Sequence, residues 1–448
     1  MAGAGLIVAH PVAGQAAARA VAGTGEDGPV PDQLLTAQGR DLLARLAGEE
    51  VTPERALALS AALRERYPAD LVAAALTQQS LRVAARGKFG AAETMLFTRA
   101  GLEQASSDLT ARHTAQRFGG FTLIADLCCG IGGNLVALAA LPGHPAVVAV
   151  DADLVSLEFA RHNVSAATAT ASAPATMSAT ATARVGYVRA DVRDVRLTGF
   201  DAVFIDPARR DKRGRLPAGA YQPPLDWCLA LADVVPAVGI KAAPGLRTDL
   251  VPAGWEIEFV ATGRDLKEAL LWSPALATTT SRATVLPAGD TLTAGPPSGP
   301  GTAGPGTAGP GTAGPGAAEP AVPLAPPGAY LLDPNPAVTR AGLVAGLARS
   351  LGAWQIDPMI AFLSSDQPLR TPFARTLRVL ESAPWHERRF AARLRELGIG
   401  TADIRRRGLA GDVRQIHRRL GLRGDGAATI VLTRVSDQPW GLICEPLS

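Results

Sequence analysis

Hydrophobic and polar positions alternate along this chain in two regimes. From residue 31 to about 118 the apolar residues recur at helical spacing. Thr52-Pro-Glu-Arg55 predicts a helix start, with a capping hydroxyl, a proline at the first helical position and an early acid. Leu57, Leu59 and Leu63 follow it. A second helix is expected from Pro68-Ala-Asp70, carrying Leu71, Val72, Leu76 and Leu81 up to a stop at Gly87. From Thr122 onward, short apolar runs alternate with helical stretches. Strands are expected over 122–127, 147–151, 185–191, 202–206, 238–243 and 255–260, with Glu268-Ala-Leu-Leu-Trp272 after the last. Helices are expected over 134–140, 154–162 and 225–235. Alternating β and α units of this length predict a mostly parallel sheet covered on both faces, an α/β fold.

Two stretches break the pattern. Residues 165–183 are almost only Ala, Thr and Ser, and residues 294–320 hold the tandem unit Thr-Ala-Gly-Pro-Gly, begun at Thr302, Thr307 and Thr312. Neither can bury enough apolar surface to offset chain entropy. The first reads as an expanded surface loop, the second as a flexible linker. Order resumes at Tyr330-Leu-Leu-Asp-Pro-Asn335, followed by a helix over 338–351 and the segment 353–357. A final unit carries helices over 390–397 and 413–420 and a strand over 428–435. The expected organisation is a disordered leader (1–30), a helical N-terminal domain (31–118) and an α/β domain (119–290) with its low-complexity insert (165–183). A Gly/Pro-rich linker (291–326), a small ferredoxin-like α/β segment (327–371) and a basic C-terminal domain (372–448) complete it.

Composition narrows the partners. With 448 residues, 47% hydrophobic and 19% charged, the chain can bury sizeable cores, and a net charge of +3 supplies no global field toward a polyanion. Cys128, Cys129, Cys228 and Cys444 form no CxxC pair, and the six histidines are scattered. That suits a reducing compartment without a metal site. The apolar stretch 4–9 lacks a basic flank and is interrupted by Pro11 and Gly14, so it does not read as a signal peptide. No run reaches the ~18 apolar residues of a membrane span. A cytoplasmic protein with no membrane or metal partner is expected.

Chemistry concentrates in Asp126-Leu-Cys-Cys-Gly-Ile-Gly-Gly-Asn134, between the first strand and its helix. Glycines at that point let a ligand approach the backbone closely. A dinucleotide fingerprint counted from Gly130 would need a third glycine where Leu135 stands, and the Gly-Lys-Ser/Thr of a phosphate loop is absent. Asp126 would repel a pyrophosphate but suits the cationic methionine moiety of S-adenosylmethionine. Asp151 ends the second strand, roughly 20 residues past the loop, where a ribose diol is gripped. Asp191, followed by Val192, ends the third strand, where a carboxylate can accept from the adenine amino group. Asp206 ends the fourth, beside the expected methyl group. A structural glycine turn flanked by solvated acids is the competing reading; four acids at one edge of one sheet count against it. Cys128 and Cys129 read as small packing residues under the loop.

On these residues the segment 121–245 resembles the class I, Rossmann-like S-adenosylmethionine-dependent methyltransferases. Within them it is most similar to the trimethylguanosine synthase and N2-guanine RNA methyltransferase group, whose Gly-x-Gly-Gly-Asn loop is matched by Gly130-Ile-Gly-Gly-Asn134. Gln104-Ala-Ser-Ser-Asp-Leu-Thr-Ala-Arg-His113 resembles that group's Ser/Thr-Pro-Glu…Ala-x-His segment, which helps cover the cofactor; Ser106 matches its hydroxyl residue and Ser107 replaces its proline. The whole arrangement is similar to a bacterial methyltransferase family with a THUMP-like C-terminal domain. Phe97-Thr-Arg-Ala-Gly-Leu-Glu-Gln104, Asp206-Pro-Ala-Arg-Arg210, Lys241-Ala-Ala-Pro244 and Asp333-Pro-Asn335 are the matching stretches. The resemblance implies a Rossmann-like domain between a helical N-terminal domain and a small α+β THUMP-like domain. It also implies cofactor binding by Gln104, Ser106, Asp126, Cys128, Gly130, Gly132, Asn134, Asp151, Asp191 and Val192.

By the same resemblance Asp206-Pro207-Ala208-Arg209 is the catalytic motif. Amino-directed nucleic-acid methyltransferases carry a related Asp/Asn-Pro-Pro-aromatic, whose side chain and carbonyl accept hydrogen bonds from the target amine. Here Ala208 and Arg209 replace the second proline and the ring; Arg209 can stack or hold a phosphate, and Tyr221 or Trp227 could supply a stacking surface. Between residues 387 and 434, twelve arginines face five acids. Local cationic excess without interleaved aromatics suits backbone contacts to a nucleic acid, with an arginine-rich solvated surface as the alternative. The expectation is an S-adenosylmethionine-dependent methyltransferase acting on an exocyclic amine of a base in structured RNA, guanine N2 first. The alternatives are methylation of DNA, protein or a small molecule, and a non-catalytic RNA-binding protein retaining the fold.

Overall fold

The computed structural model describes residues 31–171, 184–208, 210–211, 214–215, 220–295 and 321–447. The expected leader (1–30), most of the Gly/Pro linker (296–320), part of the first insert (172–183) and Arg209 lie outside the described residues. The chain divides into two compact units. One runs to Ala242 and includes Leu271–Leu276; the other comprises Ala243–Leu270 and the residues from Ala277 on.

In the first unit, helices Pro31–Leu34, Ala37–Arg45, Pro53–Leu63, Ala69–Ala85, Arg99–Gln104 and Asp108–Gln116 precede the sheet. Their starts follow local chemistry: the hydroxyls of Thr36, Thr52, Thr98 and Ser107 each accept a first-turn backbone N–H. Leu71, Val72, Leu76 and Leu81 of the central helix are buried, as their spacing predicts. They share a core with Leu42, Phe89 and Phe97 that reaches Ile131 in the glycine loop and Phe159.

Strands β1 (Leu123–Leu127), β2 (Ala146–Asp151), β3 (Arg184–Arg189), β4 (Ala202–Ile205) and β7 (Ala237–Ala242) pair in parallel in the order β3-β2-β1-β4-β7. The short pair β5 (Arg210–Asp211) and β6 (Gly214–Arg215) forms a separate ribbon. β4 and β7 are buried at every position, which is why they read as apolar runs, interrupted in β7 by Lys241. The helix after β2 spans Leu154–Ala171 and enters the stretch expected to be a loop. Alanine is the best helix former, and the hydroxyls of Ser165 and Thr168 donate to carbonyls four residues back, so their polar groups are satisfied within the helix. Phe118 packs edge-on against Phe204 and Trp272. Gly239 on β7 makes that close approach possible, since a Cβ there would lie 2.7 Å from the Trp272 ring.

In the second unit, β8 (Glu256–Thr262) precedes β9 (Asp265–Trp272), whose last two residues belong to the first unit, and β10 (Ser281–Leu286) pairs in parallel with β8 and antiparallel with β11 (Asp290–Thr293). A seven-stranded sheet follows. Its strands are β12 (Tyr330–Pro334), β13 (Trp354–Gln355), β14 (Leu363–Ser365), β15 (Ala374–Pro384), β16 (Ile399–Arg406), β17 (Gly426–Val435) and β18 (Gln438–Pro446). They lie in the order β13-β14-β12-β15-β18-β17-β16. The segment 327–371 therefore shares one sheet with the C-terminal strands. The helix expected over 338–351 is two, Pro336–Arg340 and Val344–Leu351, separated at Gly342 with φ +72°. Ile430 and Leu432 pack with Phe390, Leu394, Ile416 and Leu420 on one face of the sheet; Val431 joins Leu331, Phe362 and Leu377 on the other. Among the described residues no helix is long and apolar enough to cross a membrane.

Candidate functional site

Parallel register aligns Leu127 with Val150 and Ile205, and Ile205 with Ile240. The next residue on each strand is Cys128, Asp151, Asp206 and Lys241. Four strands thus deliver these groups to one row at the carboxyl edge of the sheet, where α/β folds place their ligands.

The loop bends sharply around that row. Cys128, Gly130 and Gly132 have φ of 58°, 54° and 88°, the left-handed region that glycine adopts without strain. A Cβ on Gly130 would meet nothing within 4 Å among the described residues, so these leave space beside its backbone. Asp151 fixes the loop: one carboxylate oxygen accepts from the Gly130 N–H (2.8 Å), the other from the Asp153 N–H (2.9 Å). Asp126 stands apart. Its side chain is buried at 1% exposure, and among the described residues neither carboxylate oxygen has a hydrogen-bond partner. Burial pushes its proton affinity well above the usual carboxylate range; Asp206 and Asp151 add to this, and Lys241 opposes it in part. Burial likewise raises the Cys128 and Cys129 thiols, which are therefore poor nucleophiles at neutral pH.

Asp206 is held from two sides. Its backbone N–H donates to Leu127 O (3.2 Å), and its carboxylate accepts from Lys241 Nζ at 2.6 Å. Lys241 Nζ also donates to Gln104 O (3.3 Å), joining the end of β4 to the segment upstream. Ala208 exchanges both backbone hydrogen bonds with Gln222, bringing Tyr221 and the helix Leu225–Ala230 back beside Asp206. Tyr221 is buried and Trp227 half-buried.

A strap covers the loop. Gln78 clasps both backbone groups of Phe97, while Asn163 accepts from Leu96 N–H and donates to the carbonyls of Leu96 and Ile131. The chain then turns through Arg99–Gln104 onto the glycines. A Cβ on Gly133 would lie 3.1 Å from the Ala105 Cβ and 3.2 Å from Ser106 O. Ser106 and Asn134 meet each other, Asn134 Nδ2 donating to Ser106 Oγ (3.3 Å), so they bind strap to loop. The Asn134 side-chain oxygen remains buried without a partner among the described residues.

The structure thus brings together Asp126, Cys128, Gly130, Gly132, Asp151 and Asp206, with Gln104, Ser106 and Asn134 closing over them. Asp191 is engaged by its own neighbours in sequence. It caps the turn Val192–Asp194 and takes a two-pronged contact from Arg193 (2.9 and 2.6 Å), which holds its carboxyl down to about 2. Val192 beside it is buried. Lys241 is the site residue that sequence reasoning left without a role; its signal was a lone lysine in an otherwise apolar strand.

An orphaned buried carboxylate next to an open glycine turn fits a ligand with a cationic head. A second carboxylate at the next strand end fits a diol. Those are the polar ends of S-adenosylmethionine. Comparisons with known proteins agree. Residues 374–446 match the THUMP domain-like family, and residues 31–85 match a domain of unknown function (DUF8688). Over 370 residues the chain is 35% identical to proteins of Mycobacterium tuberculosis strains CDC 1551 / Oshkosh and ATCC 25618 / H37Rv. Each of these is described as an uncharacterized S-adenosylmethionine-dependent methyltransferase, and the match spans 79% of this chain and 90% of theirs. A putative methyltransferase from Porphyromonas gingivalis W83 shares the fold at a TM-score of 0.65 and 17% identity, over 89% of this chain and 100% of that one. Site, fold and relatives converge: the chain belongs to the S-adenosylmethionine-dependent methyltransferases, as an α/β enzyme with a helical N-terminal region and a THUMP-like C-terminal domain.

Proposed function

We propose that this methyltransferase acts on an exocyclic amine of a base in structured RNA, with guanine N2 as first choice. The observation that carries the reading is Asp206, presented at the sheet edge and aimed by Lys241 at 2.6 Å. When bound, S-adenosylmethionine supplies a methyl group on a cationic sulfur. Asp126 pairs with the ammonium of its methionine moiety, which gives that buried carboxylate the partner it lacks. Asp151 accepts from the ribose hydroxyls, and Asp191 with Val192 borders the adenine. Gly130 and Gly132 give the backbone close approach, while Gln104, Ser106 and Asn134 keep the strap over the loop and exclude water.

The Asp206 carboxylate and the Pro207 carbonyl would accept from the target N–H groups and so orient the nitrogen lone pair for attack. Asp206 is also the acceptor placed for the proton that the amine loses. Lys241 fixes that carboxylate in one orientation, and half-buried Trp227 offers a ring against which the base can stack. The THUMP-like domain and its arginines support RNA as the partner. Four unpaired cysteines fit a cytoplasmic setting. The direct test is incubation of wild-type and Asp206→Ala protein with tritiated cofactor and total RNA. Wild type labels RNA and the variant does not; equal incorporation by both would sink the role of Asp206. The nucleosides of rRNA and tRNA from a deletion strain then identify the methylated atom.

A further inference from the structure

The twelve C-terminal arginines are not equivalent. Arg389 and Arg393 share Glu381, and Arg393 also meets Glu396. Arg419 faces Glu387, and Arg434 faces Asp437. These charges are neutralised where they stand. A different arrangement lies around the end of β12. Asp333, 4% exposed, accepts from Arg264 at 2.6 Å and from Arg407 at 3.0 Å, and Arg264 also donates to the Asp333 carbonyl. Asp403 accepts from Arg405 at 2.9 Å and lies 3.6 Å from Arg375. Four guanidinium groups, from the β8–β9 turn, the start of β15 and the end of β16, therefore converge on two carboxylates.

We infer that Arg264, Arg375, Arg405 and Arg407 form a cradle for the phosphodiester backbone of a nucleic acid. The choice of RNA within that class rests on the function proposed above. The excess charge is held close: burial lowers the proton affinity of Arg264, and Arg405, Arg375 and Arg407 lower it further while Asp333 opposes. Like charges kept together at a cost to folding mark a site that waits for an anion.

The donors are also pre-aimed. Arg407 stacks on the Phe362 ring at 4.9 Å, and Arg375 reaches Thr429 Oγ1 at 3.4 Å. Each guanidinium spends only part of its five N–H donors on these partners, and those that remain can donate to phosphate oxygens. Arg375 further lines an open cleft of about 480 Å³ with Leu369, Arg370, Thr371, Thr376 and Leu447. Phe362 is buried beneath Arg407, so it offers no face to a base. The cradle grips backbone and leaves base reading elsewhere.

The test measures binding of a labelled mixed-sequence RNA to the full chain by fluorescence anisotropy across a salt series. Arg375→Gln/Arg405→Gln is the informative variant, because its acidic partner Asp403 is solvent-exposed and is not left as a buried unpaired charge. We expect affinity to fall about tenfold or more, and the slope of log K against log salt to shrink by about 0.7 for each phosphate no longer neutralised. Asp403→Asn should bind more tightly, whereas Arg389→Gln/Arg419→Gln should leave the slope unchanged. Cofactor binding by calorimetry should match wild type in every variant. An unchanged slope in Arg375→Gln/Arg405→Gln, or an equal loss in the control pair, overturns the cradle. Displacement of RNA by inorganic phosphate beyond the effect of ionic strength also overturns it, marking a small-anion site. Duplex DNA bound as tightly with the same dependence on Arg375 and Arg405 supports the cradle while refuting RNA as the partner. Wild type that binds neither nucleic acid overturns both.

Discussion

Replacing Asp126 by Asn should stabilise the cofactor-free protein while weakening cofactor binding. The carboxylate is almost fully buried and its oxygens lack donors, and a buried unsatisfied polar group costs about 1–3 kcal/mol, more when charged. The amide keeps the shape and removes the charge. At about 2–4 °C per kcal/mol for a unit of this size, the melting temperature without cofactor should rise by about 5 °C. The pH dependence fixes the sign. Burial raises the proton affinity of Asp126 in the folded state. Below the unfolded value of ~3.9 both states are protonated and the group has no effect. As pH rises above it, the wild type loses up to about 1.4 kcal/mol per unit until the raised folded value is passed. The stability gap between variant and wild type should therefore widen from pH 4 upward. A charge-assisted contact worth about 1.5–3 kcal/mol disappears from the complex, weakening affinity by about 10- to 150-fold. Differential scanning calorimetry from pH 4 to 8 and titration with S-adenosylhomocysteine and S-adenosylmethionine measure both effects. A variant less stable than wild type at pH 7, or one with unchanged cofactor affinity, refutes the reasoning.

Lys241→Met should lower kcat by about 10²-fold through misplacement of Asp206, with cofactor affinity nearly unchanged; a normal kcat would show that Asp206 aims itself. Asn163→Ala removes three hydrogen bonds to Leu96 and Ile131, so urea unfolding should show a loss of about 2–4 kcal/mol. A change below experimental error would mean the strap is anchored elsewhere. Gly239→Ala should also destabilise. The strand gains about 0.5–1 kcal/mol of backbone preference, yet a Cβ 2.7 Å from Trp272 and 2.9 Å from Phe118 costs about 1–3 kcal/mol of overpacking. A raised denaturation midpoint would contradict it.

The parts of the fold legible in the sequence are those whose signal is local. β1, β4 and β7 announce themselves because both faces are buried, β2 because it is apolar up to its closing acid, and Asp126, Asp151 and Asp206 because they close apolar runs. Thr52-Pro53 and Asp412 before Val413–Leu420 mark helix starts with their own side chains. β15 stayed hidden for a physical reason. Its period of two is broken by a register shift between Val379 and Glu381, and Arg375, Arg378, Glu381 and Ser382 interrupt its apolar positions. β16 is largely exposed and ends in arginines, so composition points away from a strand. Ser106 and Asn134 look like separate cofactor ligands along the chain; only the fold shows them bonded to each other. The Lys241–Asp206 pair needs β4 and β7 to be neighbours, and no local pattern encodes which strands adjoin.

The grip of Gln78 and Asn163 on Leu96 and Phe97 has a consequence for how the enzyme can be divided. A fragment beginning at residue 119 would keep the glycine loop, the sheet edge and Asp206. It would also expose Ile131 and Phe159 to water and strip Asn163 of its hydrogen bonds with Leu96. The helical region and the glycine loop should therefore open as one cooperative unit. Amide exchange in Ala69–Ala85 should slow when cofactor binds, although none of that helix touches the row of groups at the sheet edge.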